Sequence, residues 1–204
     1  TGGMGAYSPA PVVDDAVFAR TMAEIILPTV RGMAAEGNDY TGFLYAGLMI
    51  SPTGEPRVIE YNCRFGDPET QPIMVRLRSD LVELCAAALD GELDRARADW
   101  DPRCAIGVVL AAAGYPGNYP GGTPIHGLDA VQADNIKVFH GGTASAGGQV
   151  VTSGGRVLCV TALGDTIATA QSDCYRAVDK ISWDGMTLRR DIGWRAIARY
   201  SQVD

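Results

Sequence analysis

The sequence predicts an α+β fold, in which a mixed region of helices and strands is followed by a smaller, mainly β region. Three observations support this class. Apolar residues recur with helical spacing over 15–36, strand-like runs at 42–50 and 57–63 flank a short turn, and further strand-like runs alternate with glycine turns after residue 104. The 204 residues, 47% apolar and 20% charged, suffice for one large domain or two small ones with a buried core.

The first helix is predicted to begin near Asp14 or Asp15 and to end at Gly37. An aspartate can accept a hydrogen bond from a free N–H of the first turn, and glycine readily adopts the left-handed conformation that ends a helix. Pro28 has no N–H to donate, so a kink is predicted there. Only the turn 51–56 separates the two strand-like runs that follow, which predicts a β-hairpin.

A second helical region is predicted over 72–89, broken at Ser79–Asp80, where another capping residue appears. The charged segment 91–102 then predicts a domain boundary. Beyond it, a helix capped by Asp165 is predicted to run to about Ile181, and a short closing element is predicted over 191–196. The predicted strands of this second half are 105–113, 136–139, 149–152 and 157–163.

Composition limits the possible partners and the cellular compartment. The net charge of −7 argues against nucleic acid and against an anionic membrane surface. The five cysteines form no closely spaced pair and only two histidines are present, so neither a disulfide framework nor a zinc site is expected. The longest nearly apolar run, 104–113, is far shorter than the roughly 18 residues that a membrane span requires. We therefore expect a cytoplasmic protein, and because Thr1 opens inside a glycine-rich loop, a piece of a longer chain.

The second strand of the hairpin carries the clearest chemical pattern. Glu60, Asn62 and Arg64 occupy every second position and are predicted to share one face, while Ile59 and Tyr61 on the other face are predicted to pack. A carboxylate and an amide oxygen side by side suit Mg²⁺, which keeps water and phosphate in its other positions. An arginine one step further along can hold a phosphate or a carboxylate. The alternative is a solvated polar edge with a weak ion pair.

Two loops add to this hypothesis. Asp67 and Glu69 follow at once in a turn that glycine and proline restrict, which favours a functional site over a solvated edge. Gly2, Gly3 and Gly5 leave backbone N–H groups open to an anion, although an ordinary turn is the favoured explanation of that stretch taken alone. Met4, Tyr7 and Trp194 are assigned to packing only.

Four stretches occur together and in order: TGGMGAYSPAPVV from residue 1, GMAAEGNDYTGFLYAGLMI from residue 32, VIEYNCRFGDPETQPIM from residue 58 and DIGWRAI from residue 191. In these motifs the chain closely resembles the glycinamide ribonucleotide synthetases, or phosphoribosylamine–glycine ligases, of the ATP-grasp superfamily. Residues 1–98 resemble the second half of the ATP-grasp catalytic region, and residues 99–204 resemble the small, mainly β C-terminal domain of that family.

The resemblance implies an ATP-dependent ligase of de novo purine biosynthesis. Glycine would take the γ-phosphoryl group of ATP to give glycyl phosphate, and the amine of 5-phosphoribosylamine would attack it to give glycinamide ribonucleotide, ADP and phosphate. By their place in the motifs, Glu60 and Asn62 would bind Mg²⁺ or Mn²⁺, and Arg64 would hold the acyl phosphate or the glycine carboxylate.

The resemblance also implies roles for the two loops. Asp67 and Glu69 would orient or contact substrate, and the backbone of Gly2, Gly3 and Gly5 would line the substrate pocket.

Two departures from the family limit what the chain can do. The strand before Glu60 carries no acid in residues 44–49, although many ATP-grasp enzymes have a metal-binding acid there. The parts that hold most of the ATP pocket would precede Thr1, so we expect no turnover without the missing N-terminal portion as a partner. A non-catalytic folded half is one alternative. Another ATP-grasp ligase or carboxylase is a second, against which the motif pairing and the lack of a biotinyl-lysine context argue.

Overall fold

The computed structural model describes residues 2–200 and shows a mixture of helices and strands. In chain order, the elements are β1 (Gly5–Ser8), α1 (Asp15–Thr21), α2 (Leu27–Ala35), β2 (Tyr45–Ile50), β3 (Pro56–Asn62), α3 (Thr70–Arg76), α4 (Leu81–Leu89), β4 (Cys104–Ala111), β5 (Ile136–His140), β6 (Thr143–Ala146), β7 (Gln149–Thr152), β8 (Arg156–Gly164), α5 (Ile167–Val178) and α6 (Trp194–Tyr200). No helix within this range combines the length and apolar character needed to cross a membrane.

The chain divides into two compact units that do not follow chain order. The first unit takes residues up to 9, residues 67–78 and residues from 100 on, and the second unit takes residues 10–66 and 79–99. Residues 67–78 join the first unit because α3 packs against β4 and β8. One change of unit lies next to the predicted boundary after residue 98, but the units are not the two predicted segments. As a statement about family domains, that boundary stays a prediction.

The first unit is built on an antiparallel sheet with the strand order β1-β4-β8-β5. One of its two central strands, β4, is buried on both faces, which explains the continuous apolar run that predicted it. Ile106, Val108 and Leu110 enter the main core together with residues of α5, while Val109 and Ala111 belong to a second cluster on the alternate positions.

The helix α5 covers the main-core face of this sheet. The side chain of Thr166 caps it by accepting a hydrogen bond from the Thr169 N–H at 3.1 Å, so the helix begins one residue later than the predicted cap, Asp165. Ala170, Cys174 and other apolar positions of α5 are buried against the sheet.

The second unit contains the predicted N-terminal helical region. Asp14 accepts a hydrogen bond from the Val17 N–H at 2.8 Å and caps α1, and Gly37 ends the region with a φ of 78°. Between α1 and α2 the residues Met22–Ile26 form a π-helical segment. Pro28 then falls in the first turn of α2, where its missing N–H is tolerated, so the irregularity lies just before the proline.

The hairpin of β2 and β3 is confirmed, with Asn62 opposite Tyr45 and Glu60 opposite Gly47. The expected packing of its apolar face is wrong within this structure, because Ile59 is 63% exposed and Tyr61 is 37% exposed. The alternation of residue types is present, but no described residue covers Ile59 as a core would.

The break in the second helical region is also confirmed, since α3 ends at Arg76 and Asp80 caps α4 by accepting from the Val82 N–H at 2.7 Å. Two strands were not predicted. β1 lies in the glycine-rich stretch expected to be a loop, and β6 pairs with β7 through a tight turn at Gly147 and Gly148, both of which have positive φ. The closing element becomes α6.

Candidate functional site

The polar face of β3 has the predicted arrangement. Asn62 donates through Nδ2 to Oε1 of Glu60 at 3.1 Å, and Arg64 donates through Nη2 to Oδ1 of Asn62 at 3.3 Å. A second nitrogen of Arg64, Nη1, donates to the carbonyl oxygen of Phe65 at 2.8 Å. Glu60 and Arg64 are exposed and Asn62 is half-buried, so a ligand in solvent can reach this row of side chains.

The donor set of this row fits a divalent cation of the magnesium type. No group of three or more His, Cys, Asp and Glu side chains that could hold a metal occurs among residues 2–200, so the described protein atoms form no complete metal cage. The Glu60 carboxylate and the Asn62 amide oxygen supply the one or two hard oxygen ligands that Mg²⁺ usually takes from a protein. Because Arg64 now donates to Oδ1 of Asn62, a cation on that oxygen would displace this hydrogen bond.

The loop after β3 leads into the first unit, where Asp67 forms an ion pair with Arg156. Oδ2 of Asp67 lies 2.9 Å from Nη2 of Arg156, and Nη1 of the same arginine donates to the backbone oxygen of Asp67 at 2.8 Å. Glu69 stands at the N-cap position of α3, but its side chain makes no capping hydrogen bond. Arg156 was not identified from the sequence, because it lies 89 residues from its partner and outside every motif.

The predicted glycine loop lines a cleft of about 420 Å³ in the first unit. Gly3 has a φ of 78°, and a Cβ there would come 2.6 Å from Nη1 of Arg156. A Cβ on Gly5 would come 2.7 Å from the backbone oxygen of Gly107, so the strand leaves no room for a side chain. Gly2, by contrast, would meet nothing within 4 Å. Gly2, Gly3 and Gly5 all line this cleft, and their place in a substrate pocket stays a prediction.

The rest of the lining is Arg189 and residues 191–195, to which no functional role was assigned from the sequence. Arg189 donates through Nε to Oδ1 of Asp191 at 2.7 Å and also pairs with its second oxygen. These hydrogen bonds lower the pKa of Asp191 and raise that of Arg189. Arg195 lies over the ring of Trp194, with Cζ 5.4 Å from the centroid. The assignment of Trp194 to packing alone is wrong, because it lines the cleft and is 52% exposed.

The five cysteines are free in this structure. Burial raises the pKa of the Cys159 thiol to about 12 and raises that of Cys174 as well. Thiols with raised pKa values are poor nucleophiles and poor metal ligands near neutral pH, so these two serve packing.

Two family models match the chain, one over its N-terminal part and one over its C-terminal part. The model described as "Phosphoribosylglycinamide synthetase, ATP-grasp (A) domain" matches residues 1–70, and the one described as "Phosphoribosylglycinamide synthetase, C domain" matches residues 105–195. The chain belongs to the phosphoribosylglycinamide synthetase family. The A-domain match includes the row on β3 and the turn at Asp67, and the C-domain match includes Arg156 and the segment 189–195.

Curated relatives of this chain are named phosphoribosylamine–glycine ligase. The protein from Vibrio cholerae is 67% identical over 199 residues, which are 98% of this chain and 46% of that protein. A protein from Escherichia coli is 65% identical over 200 residues, 98% of this chain and 47% of that protein. The chain thus spans about half the length of the curated relatives it matches.

Solved structures agree with the family assignment. The crystal structure of phosphoribosylamine–glycine ligase from Thermotoga maritima is similar with a TM-score of 0.79 and 34% identity, over 94% of this chain and 46% of that one. Pyruvate carboxylase from Rhizobium etli is similar with a TM-score of 0.63 and 20% identity, over 92% of this chain and 19% of that one, which shows a shared fold alone.

Proposed function

We propose that this chain supplies metal-binding and substrate-binding groups of a phosphoribosylamine–glycine ligase. In this reaction ATP, glycine and 5-phosphoribosylamine give glycinamide ribonucleotide, ADP and phosphate in purine biosynthesis. The observation that carries the proposal is the contiguous row of Glu60, Asn62 and Arg64. It is supported by 67% identity over 98% of the chain to a protein named for this activity.

The proposed reaction has two steps that both bring anions together. A glycine carboxylate oxygen attacks the γ-phosphorus of ATP and ADP leaves; the amine nitrogen of phosphoribosylamine then attacks the acyl carbon, phosphate leaves and the nitrogen loses a proton. Glu60 and Asn62 would hold Mg²⁺ or Mn²⁺, and the cation offsets negative charge on the phosphoryl group. Arg64 is exposed and presents a planar guanidinium that can bind a carboxylate or an acyl phosphate through two parallel hydrogen bonds.

The two loops have proposed roles of different kinds. The backbone of Gly2, Gly3 and Gly5 would line the substrate pocket, which is supported by their place on the cleft wall. Asp67 would act as an orienting residue, since its carboxylate is held by Arg156. Glu69, with a side chain that does not cap α3, would contact substrate.

We also propose residues 1–98 and 99–204 as the two family domains, in keeping with matches to residues 1–70 and 105–195. The activity would need, as a partner, the part of the relatives that this chain does not cover, which would carry most of the ATP pocket. The absence of disulfides in the described chain suits the reducing cytoplasm, and the net charge of −7 supports neither nucleic acid nor an anionic membrane as a partner.

A chimera tests this function. The uncovered N-terminal part of the Escherichia coli relative is fused to this chain, and phosphate release is measured with ATP, Mg²⁺, glycine and phosphoribosylamine. We expect release that requires both glycine and phosphoribosylamine, and none from the chain alone. Glu60→Gln should lower the rate on the order of 10²-fold or more, because it removes the negative ligand that would hold the metal ion against the phosphoryl group.

The control is Glu55→Gln, on the same hairpin, where a 46% exposed carboxylate pairs with a 73% exposed arginine. It should leave the rate unchanged. A chimera that releases phosphate with bicarbonate in place of glycine would favour a carboxylase, and robust turnover by the chain alone would show that the ATP site has been misplaced.

A further inference from the structure

The cleft of the first unit has the dimensions of a small-molecule site. Its volume of about 420 Å³ falls within the roughly 300–1,000 Å³ of typical ligand pockets. Its lining consists of Gly2 to Gly5, Tyr7, Arg189 and residues 191–195, all of which belong to the same compact unit. The described residues of this unit thus form the cleft without any contribution from the second.

The charges that line the cleft leave one arginine uncompensated. The charged residues that line the cleft are Arg189, Asp191 and Arg195. Arg189 and Asp191 neutralise each other through paired hydrogen bonds. Within residues 2–200, Arg195 has no hydrogen-bond or ion-pair partner, and its contact with the exposed Trp194 ring leaves its N–H groups available. The cleft therefore offers a single positive fork.

Hydrogen bonds from α5 fix the segment that carries this fork. The hydroxyl of Tyr175 donates to the backbone oxygen of Arg189 at 2.9 Å and accepts from the N–H of Ile192 at 3.1 Å. Gln171 donates through Nε2 to the backbone oxygen of Ile192 at 2.6 Å. Gly193 then turns the chain with a φ of 87° and is buried. A segment held in this way loses little conformational freedom when a ligand binds.

We propose that this cleft binds the phosphate monoester of the phosphoribosyl substrate, with Arg195 as the residue that recognises the phosphate. This inference rests on the proposed function and assigns a part of its substrate. A guanidinium fork matches phosphate oxygens, and glycine backbone in the same lining lets an anion approach closely. The ring of Trp194 offers an apolar surface to the sugar. Glycine itself is far smaller than the cleft and carries no phosphate.

The test is calorimetric titration of the chain with ribose 5-phosphate, a stable compound with the same phosphate and sugar. We expect a dissociation constant of about 1 mM or tighter, and much weaker binding of ribose, which lacks the phosphate. Binding should weaken with added salt. Arg195→Gln should weaken the binding of ribose 5-phosphate at least tenfold. Arg195→Lys keeps the charge without the fork, so its affinity should lie between those of the unmodified chain and Arg195→Gln.

The matched control is Arg199→Gln, on the same helix and exposed, but outside the cleft lining. It should bind like the unmodified chain. The inference is overturned if ribose 5-phosphate does not bind, or if ribose binds equally well. It is also overturned if Arg195→Gln keeps its thermal transition and binds ribose 5-phosphate as tightly as the unmodified chain. If Arg195→Gln loses its fold, the comparison of ribose with ribose 5-phosphate on the unmodified chain still decides.

The chimera separates this result from the proposed function. If a chimera carrying Arg195→Gln ligates with an unchanged KM for phosphoribosylamine, the proposed phosphate site is contradicted. The proposed function is then still supported. If ribose 5-phosphate binds through its phosphate and Arg195, but the chimera ligates nothing, the proposed site is supported. The proposed function is then contradicted.

Discussion

Arg156 holds Asp67 at two points, through the carboxylate at 2.9 Å and through the backbone oxygen at 2.8 Å. The same guanidinium reaches the backbone oxygen of Gly3 at 3.4 Å. One arginine of β8 thereby connects the turn that follows β3 with the glycine loop of the cleft, both within the first unit. Asp67 and Gly3 were each assigned to substrate from the sequence, and this contact gives them a shared positioning residue.

Because Arg156 makes more contacts than the Asp67 carboxylate, we expect substitution of Arg156 to lower the free energy of unfolding more than substitution of Asp67. Arg156→Met should lower the free energy of unfolding by about 1–3 kcal/mol, because it removes an ion pair and the hydrogen bonds to two carbonyl oxygens. Asp67→Asn should cost less than about 1 kcal/mol, because its carboxylate is 53% exposed and the backbone contact survives. Urea denaturation of both single variants and the double variant measures this.

The control for the arginine is Arg57→Met, in an exposed pair with Glu55, which should be nearly neutral. Equal costs for Arg156→Met and Asp67→Asn would contradict the prediction, since the carboxylate alone would then account for the whole contribution.

Replacing two glycines of the cleft lining by alanine should change the stability of the chain to very different extents. A Cβ on Gly5 would lie 2.7 Å from the Gly107 oxygen and 2.7 Å from Cγ1 of Ile192, so Gly5→Ala must push the strands or the 189–195 segment apart. We expect a loss of about 1–3 kcal/mol in thermal or urea unfolding. Gly2→Ala, with no atom within 4 Å, should stay within about 0.5 kcal/mol. A stable Gly5→Ala variant would show that β1 can shift away from β4.

Local patterns predicted the elements whose residues themselves determine their structure. The alternation in β3, the caps at Asp14 and Asp80 and the apolar run of β4 all depend on neighbours a few residues away. β1 depends instead on pairing with β4, where Gly5 faces Val108 more than a hundred positions later, and four residues with a glycine give no strand signal of their own.

The same distinction explains the outcome at the candidate sites. Glu60 and Asn62 could be proposed as neighbours because a strand places every second side chain on one face, and Arg64, just beyond the end of β3, contacts Asn62. Arg156 and the pairing of Arg189 with Asp191 lie far from those motifs in sequence, and only the folded sheet and α5 bring them to the loops they serve. Alternation also cannot say whether an apolar face is covered, which is why the packing of Ile59 was predicted wrongly.

Asp101 should make stability depend on acid. It is 5% exposed, its Oδ2 lies 2.7 Å from Nη2 of Arg103 and 3.1 Å from Nη2 of Arg78, and hydrogen bonds from Arg103 hold its pKa well below the usual range. A carboxyl with a lowered folded-state pKa stabilises the fold above its unfolded pKa of about 3.9, and this contribution disappears as the pH falls further.

The measurement is urea unfolding of the chain and of Asp101→Asn between pH 7 and pH 3. The variant should be less stable by about 2 kcal/mol at pH 7, and the difference should shrink below about pH 4. Asp99→Asn, with a 61% exposed carboxylate paired to an 87% exposed arginine, is the control and should follow the unmodified chain. A difference that persists unchanged to pH 3 would mean that loss of the ionised carboxylate is not the cause.

Tyr175 should control the affinity of the cleft without contacting its ligand. Its hydroxyl holds both Arg189 and Ile192, so Tyr175→Phe frees the segment that presents Arg195 while leaving every charge of the cleft in place. Ribose 5-phosphate should bind about 3- to 10-fold more weakly, because ordering the loosened segment costs on the order of 1 kcal/mol. Since the charges are unchanged, the salt dependence of binding should keep its slope, whereas Arg195→Gln should flatten it.

Tyr119→Phe removes a hydroxyl with no partner among residues 2–200 and should change neither the affinity nor its salt dependence. An unchanged affinity in Tyr175→Phe would show that the segment keeps its conformation through Gln171 alone.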